Sequence, residues 1–387
     1  MITDRLYYTD CYRVRFEARV VERARDGRRV YLDRTAFYPT SGGQPHDVGV
    51  LGAMPVIDVI DEGERIAHVT DAPIDQNSVE CEIDWMRRYD HMQQHTGQHL
   101  LSAALVELFD FQTVSFHMGA EVSTIELTTP ELTESQMERA EERTNGIVRE
   151  ARPVHIRFEQ QEAARNLRKP SERGGSLRVI EIEGYDRSAC GGTHVRSTAE
   201  VAPVQMRKVE RMRGNTRIEF VCGIRALRRA KNDFRIAAEA ASIAGVSIDK
   251  LREHVKSLHE RLAASERERQ QLSVEIGRLE ADALYETTEP GLDGLRRILL
   301  QVQAIDYAVR AKAQAITKRE RVIALVIGAE PASVIVAVSA DSDVNAGGLL
   351  KQVLSGFGAR GGGSATFAQG NLPGESTISE LKRALGF

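Results

Sequence analysis

Two pairs of side chains in this sequence have the types and spacing of metal ligands. His95 and His99 lie four apart, and Cys190 and His194 lie four apart in the run Cys190-Gly-Gly-Thr-His194. The first pair leads into the apolar-rich segment Gln98 to Leu108, which reads as helix, and residues i and i+4 of a helix share a face. Gly191 and Gly192 argue instead for a tight loop that brings a thiolate and an imidazole together. Imidazole and thiolate are the donors of tetrahedral zinc sites, so the two pairs point to one shared Zn2+. Histidine pairs by themselves are as readily core residues, and the cysteine motif carries the assignment. His91 repeats the same spacing against His95. Three histidines one turn apart cannot all ligate easily beside Cys190 and His194, so spacing leaves His91, His95 and His99 competing.

The remaining cysteines, Cys11, Cys81 and Cys222, have no histidine at ligand spacing and read as small buried hydrophobes. Four cysteines in 387 residues are too few for a disulfide scaffold. Met1 to Arg5 lacks the apolar stretch of a signal peptide. The apolar region Val322 to Val338 is interrupted by Glu330-Pro331 and reads as two strands, not a membrane span. A soluble, cytoplasmic protein is expected. Formal net charge is −4, which disfavours nonspecific nucleic-acid binding by the whole chain. Yet residues 151–231 hold 18 Lys and Arg against 9 Asp and Glu. That basic zone around the cysteine motif suggests a local polyanion partner, unless its acids come from elsewhere in three dimensions.

The elements that must position these residues are mixed. Residues 1–88 carry short β-branched runs between Gly and Pro turns and suit a small β-barrel or sandwich. Within them, Ser41-Gly-Gly43 offers bare backbone at close approach. The segment from Trp85 to Phe109 is entered through Asp84 or Asp90 as caps. Thr113–Gly119 and Ser123–Leu127 form a hairpin, Thr133–Arg149 an amphipathic helix capped by Thr133, and Val154–Phe158 a strand. Ser176–Ile182, Val204–Val209 and Arg217–Val221 add strands around the cysteine loop, giving an α+β layer.

After Gly223 helix propensity dominates. Leu251, Val255, Leu258, Leu262, Leu272, Ile276 and Leu279 keep a heptad spacing that Ser265 and Arg269 interrupt. An antiparallel helix pair and a dimeric coiled coil both fit. Beyond the Thr287 to Gly291 linker, Leu292–Lys318 reads as mostly helical, and Val322–Ile327 and Ser333–Val338 as strands covered on both faces. Asn345–Ser355 and Ile378–Leu385 read as helices. Gly356–Ser364 is a glycine-rich loop with one Arg360, suited to a phosphate or to a close backbone crossing. Four domains are expected: 1–88, 89–223, a helical connector 224–286, and a C-terminal α/β domain 287–387.

Phe37-Tyr-Pro-Thr-Ser-Gly-Gly-Gln44, His95-x-x-x-His99, Cys190-Gly-Gly-Thr-His194 and the terminal Gly-Gly-Gly run, in this order, resemble the free-standing alanyl-tRNA editing proteins of the AlaX type, long form. These are similar to the editing and C-terminal regions of alanyl-tRNA synthetase. The resemblance covers nearly the whole chain; the histidine and cysteine motifs are specific, the glycine motifs supportive. It implies a multidomain α+β fold with an N-terminal barrel, a zinc-containing editing domain, and a C-terminal DHH-associated domain that binds tRNA and dimerises. It implies hydrolysis of the ester between serine or glycine and tRNA(Ala). It places one zinc per chain on His95, His99, Cys190 and His194, leaving His91 outside. It also implies a substrate-reading role for Thr35 and a functional Gln44. Arg207, Lys208, Arg211, Arg213 and Arg360 are the candidate tRNA contacts. The synthetase's activation domain would have to precede the editing region, and no room for it exists before Met1.

Ester hydrolysis needs an activated water and a stabilised oxyanion. Four protein ligands describe a closed structural zinc, whereas catalytic zinc keeps a position open, which favours zinc as a positioning ion. A zinc protease is disfavoured because His95-Thr-Gly-Gln-His99 lacks the glutamate base of HExxH. A noncatalytic RNA-binding protein with structural zinc is the competing class; it would not need Thr35 and Gln44 near the ion.

Overall fold

Alternation of polar and apolar residues between Arg15 and Ile83 gives strands with one buried face, and these strands close on themselves. In Ser78–Ile83, Val79, Cys81 and Ile83 are buried while Ser78, Glu80 and Glu82 are exposed. The spatial order is Arg15–Arg23, Arg29–Leu32, Ile66–Thr70, Met54–Asp61, Gly49–Leu51, Ser78–Ile83, and the last strand pairs back to the first. Every pairing is antiparallel, and closure leaves no sheet edge. The structure, a computed structural model, describes residues 2–160, 167–168 and 175–387. Arg165, Lys169 and Arg173 of the basic zone fall outside them. The chain divides into two compact units, Met1–Glu239 and Ala240–Phe387.

Leu32, Phe37, Leu51, Val59 and Ile66 fill the barrel. His68 is buried among them, with Nε2 2.8 Å from Thr35 Oγ1. Burial pushes its pKa down to about 4. In the unfolded chain the same imidazole takes a proton near pH 6.5, so between these values the unfolded state binds more protons. Stability from this group is complete above about pH 6.5 and is lost as pH falls toward about 4, by up to about 1.4 kcal/mol per unit. Urea unfolding of the metal-free protein between pH 7 and 4.5 should show a decline to which the other buried histidines, His91, His95 and His194, add, and His68→Gln should make it shallower by up to about 1.4 kcal/mol per unit. An equal slope in the variant would remove His68 as the cause.

The rest of the first unit is built around helix α1 (Trp85–Phe109), capped by Asp84, whose side chain accepts from the Arg87 amide. Asp90 is not the cap; it holds Arg225 in a two-pronged ion pair. Helix α2 (Glu134–Arg149) opens on the Thr133/Gln136 capping box. Four antiparallel strands lie in the order Val204–Arg211, Thr216–Cys222, Ser123–Leu127, Thr113–Met118. Three more lie in the order Val154–Gln160, Ser176–Ile182, Asp186–Ala189. Leu100, Leu101 and Leu105 of α1 pack with Ile147 of α2 and with Ile125, Ile180 and Phe220 of the sheets. Helix α3 (Gly223–Ala244) follows.

In the second unit, α4 (Leu251–Thr287) buries Gly277 and Ala281 near its end. The heptad positions are a different face: Val255, Leu258, Leu262, Leu272, Ile276 and Leu279 are exposed in this chain. The five-stranded sheet runs Arg296–Val302, Val322–Gly328, Ser333–Val338, Phe367–Asn371, Gly361–Gly363, with only the first pair parallel. Helix α5 (Tyr307–Ile316) covers one face of it, and α6 (Ala346–Gly356) and α7 (Glu375–Leu385) the other. Two expectations are corrected. Arg296–Val302 is a strand, not helix, because its Ile-Leu-Leu run pairs with Val322–Gly328 as a sheet edge. Gly361–Gly363 is a strand and not a loop: a Cβ at Gly361 would overlap Leu354, and one at Gly363 the Phe367 carbonyl. The glycines there serve close backbone packing, and Arg360 beside them is exposed. No described helix is long and apolar enough to cross a membrane.

Candidate metal centre

From Arg88 to Leu105 helix α1 is almost wholly buried, although it carries Gln93, Gln94, His95, Thr96, Gln98, His99 and Ser102. Buried polar groups need partners; Gln98 finds its own within the helix, in Ser102, and the others reach across the fold. Gln94 grips the Cys222 backbone with both ends of its amide, at 2.9 Å each. Gln93 donates to the Glu200 carbonyl. Gly97 lets the helix lie against that strand, since a Cβ there would overlap Cys222 Sγ. Toward the barrel the helix is anchored by Arg88, fully buried against fully buried Asp47. Arg88 Nε lies 3.1 Å from both Asp47 oxygens, and Nη1 donates to the Cys11 carbonyl at 2.8 Å. The histidines are thus set on an element fixed at both flanks.

The loop after Asp186–Ala189 brings Cys190 and His194 to the same point. The donor atoms of His95, His99, Cys190 and His194 all lie within 4.8 Å of one another. Cys190 Sγ stands 3.4 Å from His95 Nε2 and 3.3 Å from His194 Nε2. A tetrahedral zinc with Zn–S near 2.3 Å and Zn–N near 2.0 Å requires an S to N edge of about 3.5 Å. Each imidazole spends its other nitrogen on a protein group. His95 Nδ1 meets Gln44 Oε1 at 2.8 Å, His99 Nδ1 meets Asp186 Oδ2 at 3.2 Å, and His194 Nδ1 meets Thr96 Oγ1 at 3.1 Å. That arrangement leaves every Nε2 free for an ion and fixes each ring's orientation. The donor set and its supports fit zinc.

The local electrostatics agree. Burial, with Arg178 adding to it, holds His95 down to about 3, and burial with the neighbouring histidines lowers His194 well below its usual value. Both imidazoles therefore present lone pairs. Burial would raise the Cys190 thiol, but His99, Arg178 and the Gly192 amide outweigh it and favour thiolate. Burial would likewise raise Asp186; its bond to His99 and the charge of Arg168 bring it to about 2. Arg178 is mostly buried and donates to the carbonyls of Tyr8, Cys190 and Gly192 at 2.9, 2.6 and 3.0 Å. It shapes the cysteine loop and sets a positive charge beside the thiolate. Gly192 must lack a side chain, because a Cβ would overlap the His95 ring.

His95, His99 and Cys190 of the cluster line a cleft of about 780 Å³. Its walls include Tyr38, Ser41 and Gly42 from the barrel and Thr113, Ser115 and Phe116 from the hairpin. Ser41 and Gln44 close a two-glycine turn with Gly42 and Gly43 at φ 56° and 83°. Gly43 presses on the Phe116 carbonyl, whereas among the described residues nothing crowds Gly42.

The predicted site residues separate into two groups. His95, His99, Cys190 and His194 come together, and Gln44 joins them by orienting His95 while its Nε2 donates to Thr193 Oγ1 at 2.9 Å. His91 stays outside. Thr35 is not on the cleft wall. It is fully buried, with its hydroxyl engaged by His68 and by the Phe37 amide at 3.1 Å. A direct reading of substrate by Thr35 requires that bond to be exchanged. Of the basic candidates, Arg207 pairs with Asp233, Lys208 with Glu210 and Arg211 with Glu131, so tertiary neighbours supply acids to part of the basic zone. Sequence reasoning missed Asp186, Thr96, Arg178 and the Arg88–Asp47 pair. Two signals were available: a carboxylate four residues before Cys190, and an arginine inside the apolar strand Ser176–Ile182.

A model of the threonyl and alanyl tRNA synthetase second additional domain matches residues 177–219. The Alanine--tRNA ligase of Pyrobaculum neutrophilum is 36% identical over 406 aligned residues, covering 99% of this chain and 44% of the ligase. The chain thus spans less than half the length of that relative. The alanyl-tRNA editing protein Aarsd1-A of Xenopus laevis is 36% identical over 246 residues, 60% of each chain. The alanyl-tRNA editing protein AlaX-L of Pyrococcus horikoshii is 30% identical over 394 residues, covering 96% of this chain and 95% of that protein. With near end-to-end coverage of an editing protein, and with the second additional domain model falling across Cys190 and His194, the chain belongs to the alanyl-tRNA editing proteins, the family related to alanine–tRNA ligase.

Proposed function

We propose that this protein deacylates mischarged tRNA(Ala), hydrolysing the ester of serine, and of glycine, to the terminal ribose. The observation that carries the reading is a four-donor metal cluster with three of its residues lining a polar cleft. One zinc per chain, held by His95, His99, Cys190 and His194, would supply Lewis acidity and a fixed point for the substrate's polar groups. The protein's own residues do the rest. Gln44, Asp186 and Thr96 hold the three imidazoles. The uncrowded Gly42 lets an acyl-ribose approach the main chain. Tyr38 donates to the Ser41 carbonyl at 3.1 Å and keeps the turn in place, burial holding its phenol protonated. Thr113, Ser115 and Gln98 offer hydrogen-bonding groups on the cleft wall. A polar wall favours serine over alanine because alanine leaves those groups unpaired.

We assign the tRNA body to residues 287–387, the DHH-associated portion, with residues 224–286 as connector. Supporting this, all metal ligands and cleft residues belong to Met1–Glu239. Arg360 of that portion is exposed and, like Arg213 of the first unit, has no carboxylate partner among the described residues. The four-ligand count favours a second reading, a noncatalytic RNA-binding protein with structural zinc. Single-turnover assays on serine-, glycine- and alanine-charged tRNA(Ala) separate the two. Cleavage of the serine ester should exceed that of the alanine ester by about 100-fold or more. Zinc-loaded protein that binds the charged tRNA and cleaves none of the esters is the outcome that establishes the second reading.

A further inference from the structure

A second cavity, of about 370 Å³, lies where the N-terminal turns of α1 and α3 meet. Three arginines line it, Arg87, Arg225 and Arg228, with a single acid, Asp90. Asp90 is spent on Arg225 at 2.6 Å, and Arg225 also donates to the Gly119 carbonyl at 2.7 Å. Arg87 and Arg228 have no carboxylate partner among the described residues; the one side-chain bond of Arg87 goes from Nε to the His46 carbonyl at 3.1 Å. His91 lines the same cavity at 2% exposure, and its Nδ1 has no hydrogen-bond partner among the described residues. Unpaired buried polar groups cost stability unless a ligand or water completes them. Burial and then Arg87 and Arg225 push its pKa down to about 3, so at neutral pH the imidazole is neutral and keeps one N–H to donate. A net positive, donor-rich hollow at two helix starts has the chemistry of an anion site.

Its place beside the cleft decides which anion. The wall between the two cavities is the Ser41–Pro45 turn and the end of the Thr113–Met118 strand. Ser41 and Phe116 face the cleft, whereas Pro45 and Gly119 face this cavity. The Gly43 carbonyl and Met118 amide bond across that wall at 2.8 Å. A polymer with a terminal ester in the cleft and regularly spaced phosphates can present one of them to a cavity lined by the same turn and the same strand end. At the rim, Met86 and Ile224 are exposed apolar side chains that suit the sugar and base surfaces flanking a phosphate.

We propose that Arg87, Arg228 and His91 form a phosphate pocket that takes a backbone phosphodiester of the substrate tRNA near its charged end. The proposal rests on the tRNA reading above and adds a site to it. One engaged phosphate contributes about 0.7 to 0.9 to the slope of log affinity against log salt. In the full-length zinc-loaded protein, Arg87→Gln/Arg228→Gln should weaken uncharged tRNA(Ala) binding about fivefold to tenfold and lower that slope by about one. Zinc content and the thermal midpoint report that the variant is folded. A parallel arm titrates inorganic phosphate against 15N-histidine-labelled protein, where the His91 signals should move in the wild type and not in the variant. Unchanged tRNA affinity and slope overturn the proposal, even where serine ester hydrolysis is intact. Phosphate that moves His91 while tRNA affinity is indifferent to the variant makes this a small-anion site and likewise overturns it. Wild type that hydrolyses no ester while the variant still loses affinity and slope leaves the pocket standing and removes the hydrolytic reading alone.

Discussion

Cys190→Ala should leave the protein nearly free of zinc and should abolish deacylation, with a loss of at least about 100-fold. Cys190 is the only anionic donor among the four, and it stands beside the buried charge of Arg178. Without the thiolate, the three imidazoles would hold a divalent ion next to a guanidinium with no negative charge to offset it. Metal analysis of the purified variant, after dialysis against a mild chelator, measures the first effect. Deacylation of serine-charged tRNA(Ala) measures the second. Two further substitutions calibrate the result. His91→Ala, one turn away but outside the cluster, should keep about one zinc per chain. Gln44→Ala removes the group that orients His95 and should weaken zinc by about 10 to 100-fold without eliminating it. Full zinc occupancy in the Cys190 variant would remove the cluster from the chemistry altogether.

Asp47→Ala should destabilise the first unit by about 3–5 kcal/mol, the cost of leaving a buried charge without its partner. Arg88 is fully buried, and its donors otherwise reach only backbone carbonyls of Cys11 and Ala36. Burial disfavours its charge, and Asp47 more than restores it. The pair ties α1 to the barrel, so its loss should also loosen the His95 to Gln44 contact across that junction. Urea unfolding followed by tryptophan emission, with Trp85 at the start of α1, measures the stability change. Adding Arg88→Met to Asp47→Ala should recover part of the loss, since a buried pair replaced by apolar atoms costs less than a broken one. A loss in the Asp47 variant below about 1 kcal/mol is the value expected of an exposed pair and would refute this anchor.

The ligands were legible in the sequence because their information is local. Four-residue spacing on a helix and Cys-Gly-Gly-Thr-His in a loop each determine half a site without reference to the other half. Strand alternation from Arg15 to Ile83 and the Thr133 cap are local in the same sense. The apolar runs at Val322 and Ser333 also declared strands covered on both faces, which two separate hydrophobic clusters now flank.

What only the tertiary structure decided is what stands behind those residues. Gln44, Asp186 and Thr96 orient the histidines across separations in sequence of 51, 87 and 98 residues. No periodicity encodes such partners, because they depend on how the barrel, α1 and the cysteine loop approach one another. The same holds for Thr35, a polar residue in a functional-looking motif whose hydroxyl turns inward to His68. It holds for Arg296–Val302, where a short apolar run suits helix or strand equally until a neighbouring strand offers its edge. The sequence determined which donors exist and how each pair is spaced. Tertiary packing decided that they share one point, because most of the polar residues on buried α1 find their partners on distant segments.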